Sequence, residues 1–234
     1  IGFGQFAHSL RRGVNMTYIV ENNGVYGLTK GQFSATADRG SKSKKGVTNT
    51  DNAIDLVAIA LQLGATFVAR SFSGDKTQLV PLIAAAILHK GSSFIDVVSP
   101  CIAFNNHAGS TKSFDYVREH NDAVNRLDVI TGRDPITVDY APGSVQVVEQ
   151  HDGTRLALRK IDADYDVNDR LAAMTFLQKH AAKGQVVTGL LYVHPEAEDL
   201  HSHLDTVETP LNTLEAKDLC PGTSALEKIN ASLR

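Results

Sequence analysis

Cysteine is scarce in this sequence, with two residues among 234, and tryptophan is absent. Two cysteines over this length cannot form a disulfide framework, which favours a reducing compartment. Residues 1–12 also lack an uninterrupted apolar core and include His8, Arg11 and Arg12, so they do not resemble a secretory signal. The composition therefore predicts a cytoplasmic protein.

Long apolar runs and an excess of charge of one sign are also missing. No apolar run approaches the ~18 residues that a membrane-spanning helix needs, and the run from 79 to 88 predicts a buried helix instead. The net charge of −3 gives no basis for a nucleic-acid or anionic-membrane partner. With 42% hydrophobic and 21% charged residues, the composition is typical of a globular protein. The length suits one large α/β domain or one domain with an appendage.

Helical and strand patterns alternate along the first hundred residues. This alternation predicts right-handed crossovers and a parallel sheet, with the carboxyl ends of its strands along one edge. In open α/β sheets that edge is where ligands bind. The predicted elements are helix 2–12, strand 16–20, a helix that Asp51 or Asn52 caps and Gly64 ends, strand 65–70, helix 75–90 and strand 93–98.

The sequence changes character from Pro135 onward, where an α+β pattern replaces the regular alternation. We therefore divide the chain into an α/β domain, residues 1–130, and a C-terminal region, residues 131–234. The predicted elements of the second region are β-strands 144–149 and 155–161 joined by a turn at 151–153, helix 166–179, strand 186–193 and a polar surface tail 195–234.

One loop concentrates groups that can bind a ligand. It runs from Asn22 to Gln32, directly after the predicted strand 16–20, and contains two adjacent asparagines, a threonine, a lysine and three glycines. Glycine lets the backbone approach a ligand closely, and the polar side chains supply hydrogen bonds. This mixture suits a hard cation and its phosphates. A polar surface turn is the alternative on composition alone, because asparagine and glycine are ordinary turn residues.

The run Asn22-Asn23-Gly24-Val25-Tyr26-Gly27-Leu28-Thr29-Lys30-Gly31-Gln32, with Ile1-Gly2 and Leu10-Arg11-Arg12 before it, resembles one particular family. It is similar to the thiamine-diphosphate half of the β subunit of 2-oxoacid:ferredoxin oxidoreductases, most of all the 2-oxoglutarate type. The resemblance implies an α/β, parallel-sheet thiamine-diphosphate-binding fold. In the family a Gly-Asp-Gly motif lies a little under thirty residues before the amide pair, so it would fall just before Ile1 here. We therefore expect the chain to lack its N-terminal part.

The resemblance also implies the site residues. The side-chain oxygen of Asn23 and the backbone carbonyl of Val25 would bind Mg²⁺, which prefers hard oxygen ligands shared with phosphates. Lys30 and Leu28 match positions near the substrate, where Lys30 would place a positive charge for the substrate carboxylate. The implied cofactor-binding residues are Asn23, Gly24, Val25, Tyr26, Gly27, Leu28 and Thr29.

Cys101 follows the predicted strand that ends at Val98, at the same edge of the sheet as Asn23. A single cysteine after a strand is by default a small buried residue. In the resembling family, however, a Ser-Pro-Cys at this point supplies one thiolate of a [4Fe–4S] cluster, and the N-terminal part supplies the other three. The resemblance therefore implies a cluster ligand at Cys101, whereas Cys220 has no such match.

The activity that the resemblance implies is the oxidative decarboxylation of a 2-oxoacid with coenzyme A, giving an acyl-CoA and CO₂. Electrons would pass through the cluster to ferredoxin, and an α subunit would complete a heterodimer. Two alternatives stay open: a non-catalytic α/β nucleotide-binding or assembly module, and a thiamine-dependent lyase without electron transfer. The presence of a cluster at Cys101 would distinguish them, since only the oxidoreductase requires one.

Overall fold

The structure is a computed structural model, and the chain divides into two compact units, residues 1–200 and 201–234. The sequence also predicts a helix at 113–126. This segment and the predicted turn at 151–153 lie outside the described residues. The described residues are 2–26, 32–37, 39–40, 47–99, 136–149, 155–220 and 222–233.

The first unit is built on a six-stranded sheet of order β1-β5-β4-β8-β7-β6, and β2 and β3 form a separate two-stranded hairpin. Its elements are α1 Phe3–Arg11, β1 Met16–Asn22, β2 Val25–Tyr26, β3 Gln32–Phe33, α2 Leu56–Gln62, β4 Phe67–Phe72, α3 Lys76–Leu88, β5 Ser92–Val98, β6 Val145–Glu149, β7 Arg155–Lys160, α4 Arg170–Ala181 and β8 Gln185–Val193.

The first half of the sheet is parallel, as predicted. β5 lies between β1 and β4 and runs parallel to both. Helices α1, α2 and α4 pack on one face of the sheet in a core that includes Val68 and Phe94. Helix α3 packs on the other face against Phe67 and Ile95. Both faces are therefore covered by helices, which confirms the predicted α/β class and its parallel arrangement.

The C-terminal half extends the same sheet. β8 pairs antiparallel with β4, β7 runs parallel to β8, and β6 forms an antiparallel edge strand on β7. Strands from both sides of residue 130 thus share one sheet, and the division of the chain at that residue stays a prediction.

Buried polar contacts join the two halves. The Lys160 ammonium of β7 lies 3.1 Å from a carboxylate oxygen of Asp75, a residue with no exposed side chain at the start of α3. The same ammonium lies 4.6 Å above the ring of Tyr140. The Tyr140 hydroxyl in turn hydrogen-bonds with Thr188 of β8. These contacts fix β7 and β8 against the helix that follows β4.

The start of α3 is at the predicted residue, whereas the start of α2 is not. Asp75 caps α3 as expected, because its carboxylate accepts the Gln78 N–H at 3.1 Å. The predicted cap at Asp51 or Asn52 is wrong, since α2 begins after Asp55. The Asp55 carboxylate accepts the Val57 and Ala58 N–H groups, which satisfies two donors at the helix start.

Helix α3 is not the fully buried helix that its apolar sequence predicted. Leu82 and Ala86 are buried against the sheet, but Val80, Ile87 and Leu88 expose 61%, 66% and 85% of their surfaces. The sheet can cover one side of a helix only, whereas residues 79–88 of α3 are apolar on every side.

The C-terminal unit consists of short helices with exposed side chains. Its elements are a 3₁₀ turn Leu211–Thr213, α6 Ala216–Leu219, α7 Gly222–Ser232 and all but the first residue of α5 Leu200–His203. None of their residues is buried. Across the described parts of both units, no helix is long and apolar enough to cross a membrane.

Gly74, between β4 and α3, is a point of very close backbone approach. A Cβ at this residue would overlap the Ile136 carbonyl oxygen and lie 2.6 Å from the Phe72 ring. The Val138 N–H also donates to the Gly74 carbonyl at 3.3 Å. Only glycine therefore allows residues 136–138 to pack on this turn.

We expect Gly74→Ala to destabilise the protein by about 1–3 kcal/mol, because backbone must shift to admit the methyl group. Gly4→Ala is the matched control, since a Cβ at Gly4 of α1 meets nothing within 4 Å. It should be neutral or stabilising by up to ~1 kcal/mol. Urea unfolding of both variants measures the difference, and equal stabilities would contradict the assignment.

Candidate functional site

The candidate site lies at the carboxyl edge of the parallel strands. Asn22 at the end of β1 pairs with Val98 at the end of β5, and Val98 pairs with Phe72 at the end of β4. The Ser99 N–H donates to the Asn22 carbonyl at 2.9 Å, and the Ser73 N–H donates to the Val98 carbonyl at 2.9 Å. The three strands thus end at one level, as the sequence predicted, and their following loops begin side by side.

Asn23 and Gly24 form a tight turn directly after β1. The Asn23 side-chain oxygen accepts the Val25 N–H at 3.1 Å. Gly24 has a φ of +70°, a backbone conformation that side-chain-bearing residues rarely adopt. The Asn-Gly pair therefore turns the chain at the sheet edge and holds the Asn23 amide in one orientation.

The hairpin of β2 and β3 sets the direction of the Val25 carbonyl. The Ser34 N–H donates to the Gly24 carbonyl at 3.0 Å, so Val25 and Phe33 form a non-hydrogen-bonded pair. In such a pair the N–H and C=O of Val25 both point away from β3. The Val25 N–H is bonded to Asn23, so the Val25 carbonyl points to the side on which the Asn23 amide lies.

Residues that follow β3 in the chain pack against the turn at Asn23 and Gly24. A Cβ at Gly24 would lie 3.8 Å from the Cα of Ala37. Asn49 is 6% exposed, and its amide donates to the Ala37 carbonyl at 2.9 Å and to the Asp51 carbonyl at 3.3 Å. The sequence did not predict this role for Asn49. From the sequence, an asparagine in a polar loop that is buried and hydrogen-bonded to the backbone cannot be distinguished from one that is exposed to solvent.

A buried ion network lies close beneath the edge. Arg70 of β4 donates from Nε to Asp96 of β5 at 2.8 Å and from Nη2 to Asp55, the cap of α2, at 2.6 Å. Burial alone would lower the pKa of Arg70, but the carboxylates of Asp96 and Asp55 outweigh it and raise that pKa. The guanidinium therefore stays charged and joins two strands to the start of a helix.

The sequence did not predict this network either. Arg70, Asp55 and Asp96 are single charges in apolar segments, separated by 15 and 26 residues. Only the order of the strands brings them together. A charge within an apolar strand is the one signal that could have drawn attention to them, because such residues are rarely buried without a partner.

The predicted site residues fall into two groups. Asn23, Gly24, Val25 and Tyr26 lie together at the sheet edge, with Tyr26 exposed to 45%. The other predicted site residues lie outside the described residues. These are Gly27, Leu28, Thr29 and Lys30 of the same loop, and Cys101, the predicted cluster ligand.

The donor set at the edge determines which ions it could hold. Among the described residues, no group of three or more His, Cys, Asp or Glu side chains could hold a metal ion. The amide oxygen of Asn23 and the carbonyl of Val25 are neutral hard oxygens. Such a pair fits Mg²⁺ that takes its remaining ligands from phosphates and water. It does not fit a soft metal, which prefers sulfur ligands.

Comparisons with known proteins agree with this description. The family of thiamine pyrophosphate enzymes, C-terminal TPP binding domain, matches residues 1–97. A 2-oxoacid:ferredoxin oxidoreductase subunit beta from Sulfolobus sp is 36% identical over 179 residues, which cover 76% of this chain and 53% of the relative. The 2-oxoglutarate oxidoreductase subunit KorB of Mycobacterium tuberculosis is 34% identical over 158 residues, which cover 67% of this chain and 40% of the relative.

A solved structure is similar over the whole chain. It is a 2-oxoglutarate:ferredoxin oxidoreductase from Magnetococcus marinus with 2-oxoglutarate, coenzyme A and succinyl-CoA bound. The TM-score is 0.61 at 25% identity, and the match covers 100% of this chain and 63% of the other. This likeness confirms the predicted fold.

The fold and the family match define the first part of the chain as a thiamine-diphosphate-binding domain of the thiamine pyrophosphate enzymes. The chain is similar to the β subunits of 2-oxoacid:ferredoxin oxidoreductases, as its sequence predicted. It spans about half the length of the first of these relatives, 53%.

A substitution at Arg70 tests whether its buried ion pairs stabilise the protein. We expect Arg70→Met to destabilise the protein by about 3–5 kcal/mol, because it leaves the fully buried Asp96 carboxylate without its partner. Arg155→Met is the matched control, because Arg155 and Glu149 form a 4.0 Å pair and are 76% and 66% exposed. Its effect should stay within about 0.5 kcal/mol. Denaturant unfolding measures both variants, and equal effects would refute the proposed role of Arg70.

Proposed function

We propose that this chain is the cofactor-binding part of the β subunit of a 2-oxoacid:ferredoxin oxidoreductase. The reaction is the oxidative decarboxylation of a 2-oxoacid with coenzyme A to an acyl-CoA and CO₂, with electrons passed to ferredoxin. We propose 2-oxoglutarate as the substrate, since the Mycobacterium tuberculosis relative and the Magnetococcus marinus structure both carry it in their names. The relatives are named as β subunits, which supports an α subunit as the partner.

The observation that carries this proposal is the geometry of the turn after β1. The Asn23 amide oxygen and the Val25 carbonyl lie on one side of the chain, at the edge where parallel sheets bind ligands. They belong to the segment that matches a thiamine pyrophosphate binding domain. We assign these two oxygens to the Mg²⁺ that accompanies thiamine diphosphate.

The protein groups around the cofactor would position it and its substrate. Thiamine diphosphate, when bound, supplies the carbanion chemistry of decarboxylation, and the chain contributes binding and orientation. Gly24, with its positive φ, would admit the diphosphate close to the backbone. Gly27 and Thr29 would bind the same cofactor. Lys30 would offer a fixed positive charge to the substrate carboxylate, and Leu28 is assigned to the same substrate region.

Electron transfer is assigned to Cys101 as one ligand of a [4Fe–4S] cluster. Two observations support this assignment. The sequence Ser99-Pro100-Cys101 matches the family motif, and the Ser99 N–H donates to the Asn22 carbonyl at the carboxyl edge of the sheet. A cluster held by four cysteines would need further thiolates from outside this sequence, because the sequence contains only two cysteines, Cys101 and Cys220.

Anaerobic purification of the full-length protein with its co-purifying subunit tests the proposal. Iron, acid-labile sulfide and thiamine are measured together with the visible spectrum. We expect bound thiamine diphosphate and about four iron and four sulfide per β chain. Thiamine without iron would favour a thiamine-dependent lyase and remove the role of Cys101. Absence of both cofactors would favour a non-catalytic binding or assembly module.

We expect Asn23→Ala to lower the Mg²⁺-dependent affinity for thiamine diphosphate by at least ~10-fold, because it removes a metal ligand. Asn22→Ala is the matched control, since the hydrogen bond of Asn22 to Ser99 uses its backbone carbonyl. Calorimetric titration of the full-length protein with the cofactor measures both. An equal loss in the two variants would refute the assignment of Asn23.

Lys30→Ala provides the complementary control. It should raise the KM for the 2-oxoacid and leave the cofactor affinity unchanged, because a substrate-binding charge acts after the cofactor is in place. Loss of thiamine diphosphate binding with unchanged substrate kinetics would instead place Lys30 at the cofactor.

A further inference from the structure

A buried asparagine, Asn49, is connected to the turn at Asn23 by a continuous series of hydrogen bonds. Its side-chain amide donates to the Ala37 carbonyl at 2.9 Å. The Ala37 N–H donates to the Ser34 carbonyl at 3.1 Å, and the Ser34 N–H donates to the Gly24 carbonyl at 3.0 Å. Each bond ends on a residue from which the next one begins, and the last bond ends in the turn itself.

Asn49 also holds the segment that leads to α2. Its side-chain oxygen accepts the Asp51 N–H at 3.2 Å, and its amide donates to the Asp51 carbonyl at 3.3 Å. Farther along the chain, the Ile54 N–H donates to the Ala35 carbonyl at 2.8 Å. Asp55, the cap of α2, follows Ile54 directly. The Asn49 side chain therefore connects the residues after β3 to the segment that begins α2.

The hydrogen bonds of Asn49 are made in a buried place, since Asn49 and Ala37 are each 6% exposed. Without the amide, the Ala37 carbonyl would lose this donor, and a buried acceptor that loses its partner is unfavourable. The backbone at Ala37 would then shift towards another donor. Gly24 is next to this backbone, because a Cβ at Gly24 would lie 3.8 Å from the Ala37 Cα. A shift at Ala37 therefore reaches the turn.

We infer that Asn49 is a positioning residue for the Mg²⁺ that accompanies thiamine diphosphate. This inference rests on the proposed function, in which the Asn23 amide oxygen and the Val25 carbonyl bind that ion. Asn49 acts through Ala37 and Gly24, which set the direction of both oxygens. Mg²⁺ requires nearly octahedral geometry, so a small displacement of two ligands lowers its affinity. Residues that orient metal ligands contribute about 10–100-fold to metal affinity.

Calorimetric titration with thiamine diphosphate at several Mg²⁺ concentrations tests the inference. The variants are Asn49→Ala, Asn23→Ala and the double variant, each in the full-length protein with its co-purifying subunit, after a chelator has removed metal and cofactor. Thermal unfolding shows whether each variant folds. Asn49→Ser replaces Asn49→Ala if that variant does not fold, because one hydroxyl donor cannot serve both carbonyls that the amide serves.

Ser93→Ala is the matched control. The buried Ser93 side chain also donates to a backbone carbonyl, that of Ala86, at 3.0 Å. Ser93 lies at the amino end of β5, whereas the turn at Asn23 lies beside the carboxyl end of this strand. This variant therefore loses a comparable hydrogen bond at the opposite edge of the sheet.

We expect Asn49→Ala to lower the Mg²⁺-dependent affinity for thiamine diphosphate by about 10-fold, with an unchanged number of binding sites per β chain. A higher Mg²⁺ concentration should recover most of this loss, because mass action compensates for a weaker metal site. Ser93→Ala should bind within about twofold of the wild type. In the Asn23→Ala background, Asn49→Ala should weaken binding by about threefold or less, because one of the two ligands that it orients is already absent.

Equal affinities of Asn49→Ala and Ser93→Ala would overturn the inference. An equal effect of Asn49→Ala with and without Asn23 would also overturn it, because independent residues give additive effects. Fewer binding sites per chain at unchanged affinity would make Asn49 a structural residue only.

The same titrations separate this inference from the proposed function. If the wild-type protein binds no thiamine diphosphate, the proposed function fails and the inference fails with it. If the wild type binds the cofactor and Asn23→Ala binds it equally well, the assigned metal ligands are wrong, and so is the role of Asn49. If Asn23→Ala weakens binding and Asn49→Ala does not, the proposed function stands and only the positioning role is wrong.

Discussion

The buried Arg70 is the interaction on which the arrangement of the site depends. It joins the central strand β4 to β5 through Asp96 and to the first turn of α2 through Asp55. Asp55 also caps α2. The Arg70 guanidinium therefore holds β4 next to β5 and also holds the start of α2 against these two strands. An ion of this kind is costly to bury alone, so its partners cannot move independently. The ion pairs of Arg70 therefore hold the carboxyl ends of β4 and β5 in a fixed position relative to α2.

Above this network the proposed cofactor site consists of neutral groups. The Asn23 amide and the Val25 carbonyl are set by a two-residue turn and by the pairing of β2 with β3. Neither oxygen is charged, so under the proposed function a cation bound there would be held largely by the phosphates that accompany it.

Local signals predicted much of this protein. The parallel strands and the start of α3 at Asp75 follow from periodicity and capping, and they were predicted correctly. The turn at Asn23-Gly24 was the alternative that composition offered beside a ligand-binding loop. Long-range contacts were not. The association of Arg70 with Asp55 and Asp96, the close approach at Gly74, and the pairing of β8 with β4 depend on which strands become neighbours, and the sequence does not encode this locally. The cap of α2 was missed because Asp51, Asn52 and Asp55 are equally good caps, and only Arg70 selects one of them.

The order of the strands also has a consequence for how the site forms. β5 separates β1 from β4, so the β1 strand that carries Asn22 has no partner in this half of the sheet until residues 92–98 arrive. β4 in turn gains its other neighbour only when β8, more than a hundred residues later, has been made. Pairings between strands so distant in sequence close slowly. The Asn23 turn thus precedes in the chain the strands on which its geometry depends, and it reaches that geometry only after they have paired.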